Sequence, residues 1–451
     1  MDAFVFTPNG ARIRTRRRSE DTRGGVVRLA VSAVVGTDWK PASWRQKATV
    51  DAGVPLTDVS RLPPLVYSGE VDRLKSKLAD VQAGKAFLLK AGDREEDFTI
   101  TQGENTEATF RLLVAQVIIL AYVSGVPIIK INHIGGDFEN IGPLNVPSDE
   151  EAQRVTKSYY QSSSALNLLR ALAKSPTSML EWTDLISAVD GETHKELIGR
   201  VEDALRFVQA AGLNVFNEDF REPEFYVSHE LFLLPYEEAL TRSVDGQWYG
   251  SSTHMYWMTR GGQELDEAHV EYLRGVENPV SIRVDTETSE ASLVEIIKTL
   301  NPSNEPGKVV VTCSFGSSKI WGKLPKLIRS VTEAGMNVVW VCDPMRENTI
   351  PTENGCLTCP VELIWSEIAS FFNVHMQEGS YPGGVFLEMT GSDVSECVGG
   401  IGAVRDSDVC CEAGPDVLPR LNAQQALGVA QEIGRLLKAI SPDGRTLKAP
   451  Q

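Results

Sequence analysis

The chain has no cysteine before Cys313; all seven (Cys313, Cys342, Cys356, Cys359, Cys397, Cys410 and Cys411) fall in its C-terminal third. An odd count without a signal-peptide pattern argues against the disulfide framework of a small secreted domain. Reduced thiols in a cytoplasm are the expectation. Cys356-x-x-Cys359 with Cys410-Cys411 holds enough sulfur for zinc, but the adjacent second pair departs from the C-x-x-C spacing of structural zinc sites, so ordinary loop thiols are expected. Long apolar runs are missing too. The longest, at 112–123, is broken by Gln116 and reads as a buried helix, so no membrane partner is expected. Neither a G-x-G-x-x-G after a strand nor a G-x-x-x-x-G-K-[ST] occurs, which argues against dinucleotide and P-loop folds. Positive charge is in deficit, with 44 Lys and Arg against 61 Asp and Glu and a net charge of −17. A nucleic-acid backbone would be repelled. The basic run of Arg12, Arg14, Arg16, Arg17 and Arg18 reads as a solvated tail.

What is present is a rhythm of short apolar runs and helical patterns. Runs of buried-strand type lie at 86–90, 127–131, 279–284, 308–312, 337–342 and 384–388. Helical spacing fills 106–123, 159–172, 195–211, 288–299, 323–334, 361–373 and 423–437. Strands alternating with helices imply a mostly parallel sheet, and a (β/α)8 TIM barrel is the fold class expected. The expected organisation is an N-terminal extension over 1–60, a barrel over 61–440 with inserted helices at about 148–225, and a tail over 441–451. Functional groups of such barrels sit at the C-terminal ends of the strands. Those ends read Ala91-Gly-Asp-Arg-Glu95, Asn132-His-Ile-Gly135, Val284-Asp285, Ser314-Phe-Gly316, Asp343-Pro-Met-Arg346 and Glu388.

Longer segments carry a family likeness. Leu62-Pro-Pro-Leu-Val66, Ser228-His-Glu230, Leu233-Leu-Pro-Tyr-Glu237, His254-Met255 with Trp257, Asp343-Pro-Met345, Gly383-Gly384 followed by Leu387-Glu-Met-Thr-Gly391, Glu396-Cys-Val-Gly-Gly400 and Pro419-Arg-Leu-Asn422 resemble type II 3-deoxy-D-arabino-heptulosonate 7-phosphate (DAHP) synthases. The likeness runs from about residue 43 to 435. It implies a (β/α)8 barrel, a homo-oligomer, and the first step of the shikimate pathway: condensation of phosphoenolpyruvate with erythrose 4-phosphate at manganese or cobalt.

The likeness fails where that chemistry would sit. The positions matching the family's Cys, His, Glu and Asp metal ligands are Arg94, Arg346, Glu388 and Leu418. A guanidinium is always protonated and has no lone pair to give, so no metal cofactor is expected unless other ligands serve. Phosphate contacts are altered as well. Gly261 stands for an Arg with Arg260 beside it, Arg283 for a Lys, Ser314 for an Arg and His133 for an Arg; Asn140-Ile-Gly-Pro143 replaces the K-P-R-S segment. Candidate catalytic residues are His133, Glu388 and Asp93, His133 for its near-neutral pKa. Candidate substrate-binding residues are Arg94, Arg260, Arg283, Arg346, Asp285 and Lys130, because Arg forks match carboxylates and phosphates. Two arrangements of the arginines stay open: an Arg94–Glu388–Arg346 network that plugs the site, or a clamp for an anion. His229, His254 and His269 read as structural. Three functions follow as expectations. They are a repurposed metal-independent enzyme for an acidic small molecule in specialised metabolism, an inactive regulatory partner of a pathway enzyme, and a weak retained condensation.

Overall fold

The computed structural model describes residues 4–6, 12–14, 39–48, 56–92, 102–133, 149–174, 199, 225–258, 267–409 and 418–440. The chain divides into a unit Met1–Val34 and a unit Val35–Gln451. In the first, Phe4–Phe6 pairs antiparallel with Arg12–Arg14. The second is built on eight strands: β1 (Phe87–Gly92), β2 (Ile128–His133), β3 (Tyr226–Glu230), β4 (Met255–Met258), β5 (Val280–Val284), β6 (Val309–Cys313), β7 (Val339–Cys342) and β8 (Gly384–Glu388). They close into one barrel in chain order, every pair parallel. The expected (β/α)8 barrel is the fold found.

The strands are apolar on both faces because both faces are covered. Alternate residues separate two clusters. Leu88, Ile129, Ile131, Tyr226, Met255, Trp257, Val310, Val339, Val341 and Phe386 fill the lumen. Phe87, Leu89, Ala91, Val280, Ile282, Val284, Val309, Val311 and Cys313 pack outward under the helices. Helix α1 (Ser68–Gln82) corks the N-terminal end of the lumen with Leu74, Leu78 and Val81. The cork fits tightly: a Cβ on Gly307, at φ +77°, would lie 2.1 Å from the Lys75 carbonyl oxygen. At its start Glu70 accepts the Tyr67 amide at 2.9 Å and Arg170 Nη2 at 3.2 Å. Burial opposes ionisation of Glu70, but His254 Nε2 3.9 Å away, the Tyr67 amide and the Arg170 charge bring its pKa down to about 2.

Outside the barrel run α2 (Gln102–Ser124), α3 (Asp149–Lys174), α4 (Glu267–Leu273), α5 (Glu290–Leu300), α6 (Ile320–Glu333), α7 (Val361–Gln377) and α8 (Ala423–Ile440). The helical pattern at 195–211 lies outside the described residues. Within α2, Asn105–Ser124 is long and apolar enough to cross a membrane by length and composition alone. Here it packs on α8, where Gln116 donates to the Ala426 carbonyl at 3.0 Å and Gly434 leaves room for Val123. The polar break in the apolar run is therefore a buried helix–helix hydrogen bond.

One cysteine departs from expectation. Cys313, Cys342, Cys359 and Cys397 are free and buried, but Cys356 is disulfide-bonded. Its partner lies outside the described residues, as do Cys410 and Cys411. Burial raises the thiol pKa of Cys313, Cys342 and Cys359 well above the usual range, which leaves them inert.

Candidate active site at the barrel mouth

Strand parity decides which residues reach the mouth. On β2, Ile129 and Ile131 face the lumen, so His133 does too, while Lys130 alternates to the helix side. Lys130 is therefore corrected as a substrate ligand: register Leu89↔Lys130 places it level with an outward-packed neighbour. On β5 the lumen residues are Ser281, whose hydroxyl meets that of Thr312 at 2.8 Å, and Arg283. On β8 they are Phe386 and Glu388. Asp343 follows Val341 at the end of β7, buried, with Ser314 Oγ 3.4 Å away.

Asp285 is also corrected. Its carboxylate accepts the Glu287 and Thr288 amides at 3.0 and 3.1 Å and the Thr288 hydroxyl at 3.0 Å, so it shapes the turn into α5. All three contacts fall on Oδ1.

Asp93, Arg94, Glu95 and Arg260 lie outside the described residues. Of the proposed ion network only Arg346 and Glu388 can be placed, and no ion pair joins them. Arg346 is half-buried in the short 3-10 turn Arg346–Asn348 and makes no side-chain hydrogen bond or ion pair among the described residues. Glu388 is 3 % exposed; its backbone N–H approaches Met345 Sδ at 3.2 Å and its carbonyl accepts the Leu421 amide at 2.9 Å. The 418–421 segment is thereby laid beside β8. It is clamped by Arg420, which meets Glu396 through Nη2 at 2.5 Å and Nε at 3.0 Å. Replacing Arg420 with Lys removes the two-pronged contact and should cost about 1–2 kcal/mol, read as a lower urea midpoint with an unchanged slope.

Sequence reasoning passed over the centre of the lumen. Lys90 is buried, its Nζ 3.6 Å from the Trp257 ring centroid and 4.4 Å from that of Phe386. His133 stands edge-on to Trp257 with centroids 5.5 Å apart, and Trp257 meets Phe386 at 5.1 Å. The signal was available: counting by two from Leu88 puts Lys90 in the lumen.

Two of the histidines expected to be structural are buried among local partners. His229 meets the Glu237 carboxylate at 2.8 Å, and the same carboxylate accepts Ser252 and Tyr256 hydroxyls at 2.5 and 2.8 Å. His254 Nδ1 accepts the Val227 amide at 3.0 Å, which leaves the ring proton on Nε2.

The sequence profile of the class-II DAHP synthetase family matches residues 37–142 and 144–434. The chain belongs to that family. Phospho-2-dehydro-3-deoxyheptonate aldolase of Streptomyces coelicolor is 32% identical over 409 positions, covering 83% of this chain and 90% of its own. The aldolases of that name from Mycolicibacterium smegmatis and Neurospora crassa are 31% and 32% identical, covering 91% and 87% of this chain and 94% and 93% of theirs. Against this family the metal positions stand out. Of the residues matching the divalent-ion ligands, Arg346 and Leu418 have no lone pair to offer. Among the described residues no three His, Cys, Asp or Glu side chains gather as a metal site.

Proposed function

We propose that this member of the class-II DAHP synthetase family is an enzyme that works without a divalent metal on an acidic small molecule, in a specialised offshoot of aromatic metabolism. The observation that carries this reading is Arg346, a half-buried cation at the former metal-ligand position that Glu388 does not neutralise. A plugged site would pair these charges, because an uncompensated buried charge is costly. An Arg guanidinium suits a carboxylate or phosphate, and lumen-facing Arg283 is a second cation for such a group. The setting proposed with it is a cytoplasmic homo-oligomer with no nucleic-acid or membrane partner.

The breadth of the match to the named aldolases favours a second reading, retained condensation of phosphoenolpyruvate with erythrose 4-phosphate. Calorimetry on chelator-stripped protein separates the two, with manganese titrated first and phosphoenolpyruvate then added with and without it. The metal-free reading expects no heat from manganese and no metal-dependent phosphoenolpyruvate binding. Tight manganese binding that enables phosphoenolpyruvate binding establishes the second reading instead.

A further inference from the structure

We propose that Lys90 is a Schiff-base lysine, whose Nζ condenses with the carbonyl carbon of a small oxo acid held at the barrel mouth. The inference deepens the metal-free reading and rests on it for the identity of the site.

Position comes first. Lys90 stands on β1 in register with Phe386 on one side and Ile131 on the other. Two residues further along, Gly92 is in register with both Glu388 and His133. The layer above the amine thus has a carboxyl on one flank, an imidazole on the other, and no side chain between them. Gly92 holds φ +146°, and a Cβ there would fall 2.7 Å from Asn132 Oδ1. Any other residue there would collide with the neighbouring strand at Asn132 and His133.

The surroundings suit the chemistry. Lys90 must shed its proton to react, since the neutral amine is the nucleophile. The faces of Trp257 and Phe386 stabilise a cation above them. An iminium is also a cation, so the aromatic floor supports the condensed species as well as the starting ammonium. In the step itself the Nζ lone pair attacks the carbonyl carbon while the carbonyl oxygen takes a proton, giving a carbinolamine. The hydroxyl then takes a second proton and leaves as water, and the nitrogen lone pair closes the C=N bond. Glu388 and His133 are the groups positioned to deliver and recover those protons. The carboxylate of the oxo acid has Arg283 and Arg346 as cationic partners. No oxidant or second substrate is consumed.

The test is reductive trapping. The full chain is incubated with pyruvate, or in parallel glyoxylate, then treated with sodium borohydride and mapped by peptide mass. The expected result is a reduced adduct on the peptide carrying Lys90, enriched roughly tenfold over surface lysines. It is lost in K90R, which keeps the charge but forms no imine. If K90R melts early, K90M, which keeps an apolar stem against Trp257, takes its place. Labelling spread evenly over surface lysines, unchanged in K90R, overturns the proposal, as does absence of any adduct at Lys90 with both probes. The trap contains no metal. Manganese binding together with trapping therefore sinks the metal-free reading and spares Lys90, whereas no manganese binding and no trapping does the reverse.

Discussion

Replacing Trp257 with alanine is expected to lower the stability of the barrel by about 3–5 kcal/mol, the range for truncating a fully buried large aromatic. Trp257 is among the largest fully buried side chains of the described residues, at the centre of the lumen. Its indole meets three neighbours on three other strands: Lys90 on β1, His133 on β2 and Phe386 on β8. The loss has two parts. Transfer and packing energy disappear with the ring, and Lys90 loses the face that stabilises its charge, leaving a buried cation with a poorer environment. Phenylalanine should recover more than half of the loss, since it restores both the volume and a cation-accepting face. Equilibrium urea unfolding of the three proteins measures this. A cost below about 1 kcal/mol for W257A would mean that the lumen collapses around the gap.

The second large effect is a dependence on pH centred on Glu367. Its carboxylate accepts the amides of Phe315 and Gly316 at 3.2 and 3.0 Å and Asn348 Nδ2 at 2.7 Å. These contacts tie α7 to the loops that follow β6 and β7. Burial outweighs them and, with Asp343 nearby, pushes the pKa of Glu367 up to about 8. The folded protein then holds a proton that the unfolded chain has released above pH 4.5. Stability must therefore fall as pH rises from about 4.5 to about 8. The full excursion is on the order of 5 kcal/mol, at about 1.4 kcal/mol per unit. In E367Q this component disappears. The variant carries a constant cost of about 1–3 kcal/mol, because one amide hydrogen now faces Asn348 Nδ2. The stability advantage of wild type over E367Q, followed from pH 4.5 to 8, should shrink, pass through zero and change sign. A difference that stays flat would show that Glu367 is ionised throughout, with its three donors prevailing over burial.

The sequence made the barrel legible because six strands are short runs of Val, Ile, Leu and Phe between helices. The other two, Tyr226–Glu230 and Met255–Met258, carry no such mark. The first alternates Tyr226, Ser228 and Glu230 toward the lumen with Val227 and His229 outward, which looks like a polar segment. The second is four residues long and lies beyond a hairpin of Thr241–Val244 with Gln247–Gly250. Both were noticed only as family motifs. At the site, residue types were easier to read than directions. His133, Arg283 and Glu388 were found because they lie at or near strand ends in the lumen parity. Lys130 and Asp285 fit by type but not by direction: one points to the helices and the other closes its own turn. Lys90 lies one turn of the pleat before the strand end, where residue type gives no mark, although parity alone places it inside. The disulfide at Cys356 was invisible, since pairing follows from spatial approach and not from spacing along the chain.

The barrel closes in chain order, so its seam joins the first strand to the last. Tyr381 donates to the Ala86 carbonyl at 3.0 Å across 295 residues, and Lys90 reaches Phe386 across the same seam. The proposed chemistry therefore straddles the strand pair of the barrel most distant in sequence. During synthesis β1 emerges early and waits with an unpaired edge until almost the whole chain has followed. The proposed oxo-acid site would be completed only at ring closure, so trapping at Lys90 should report on that closure as well as on the proposed chemistry.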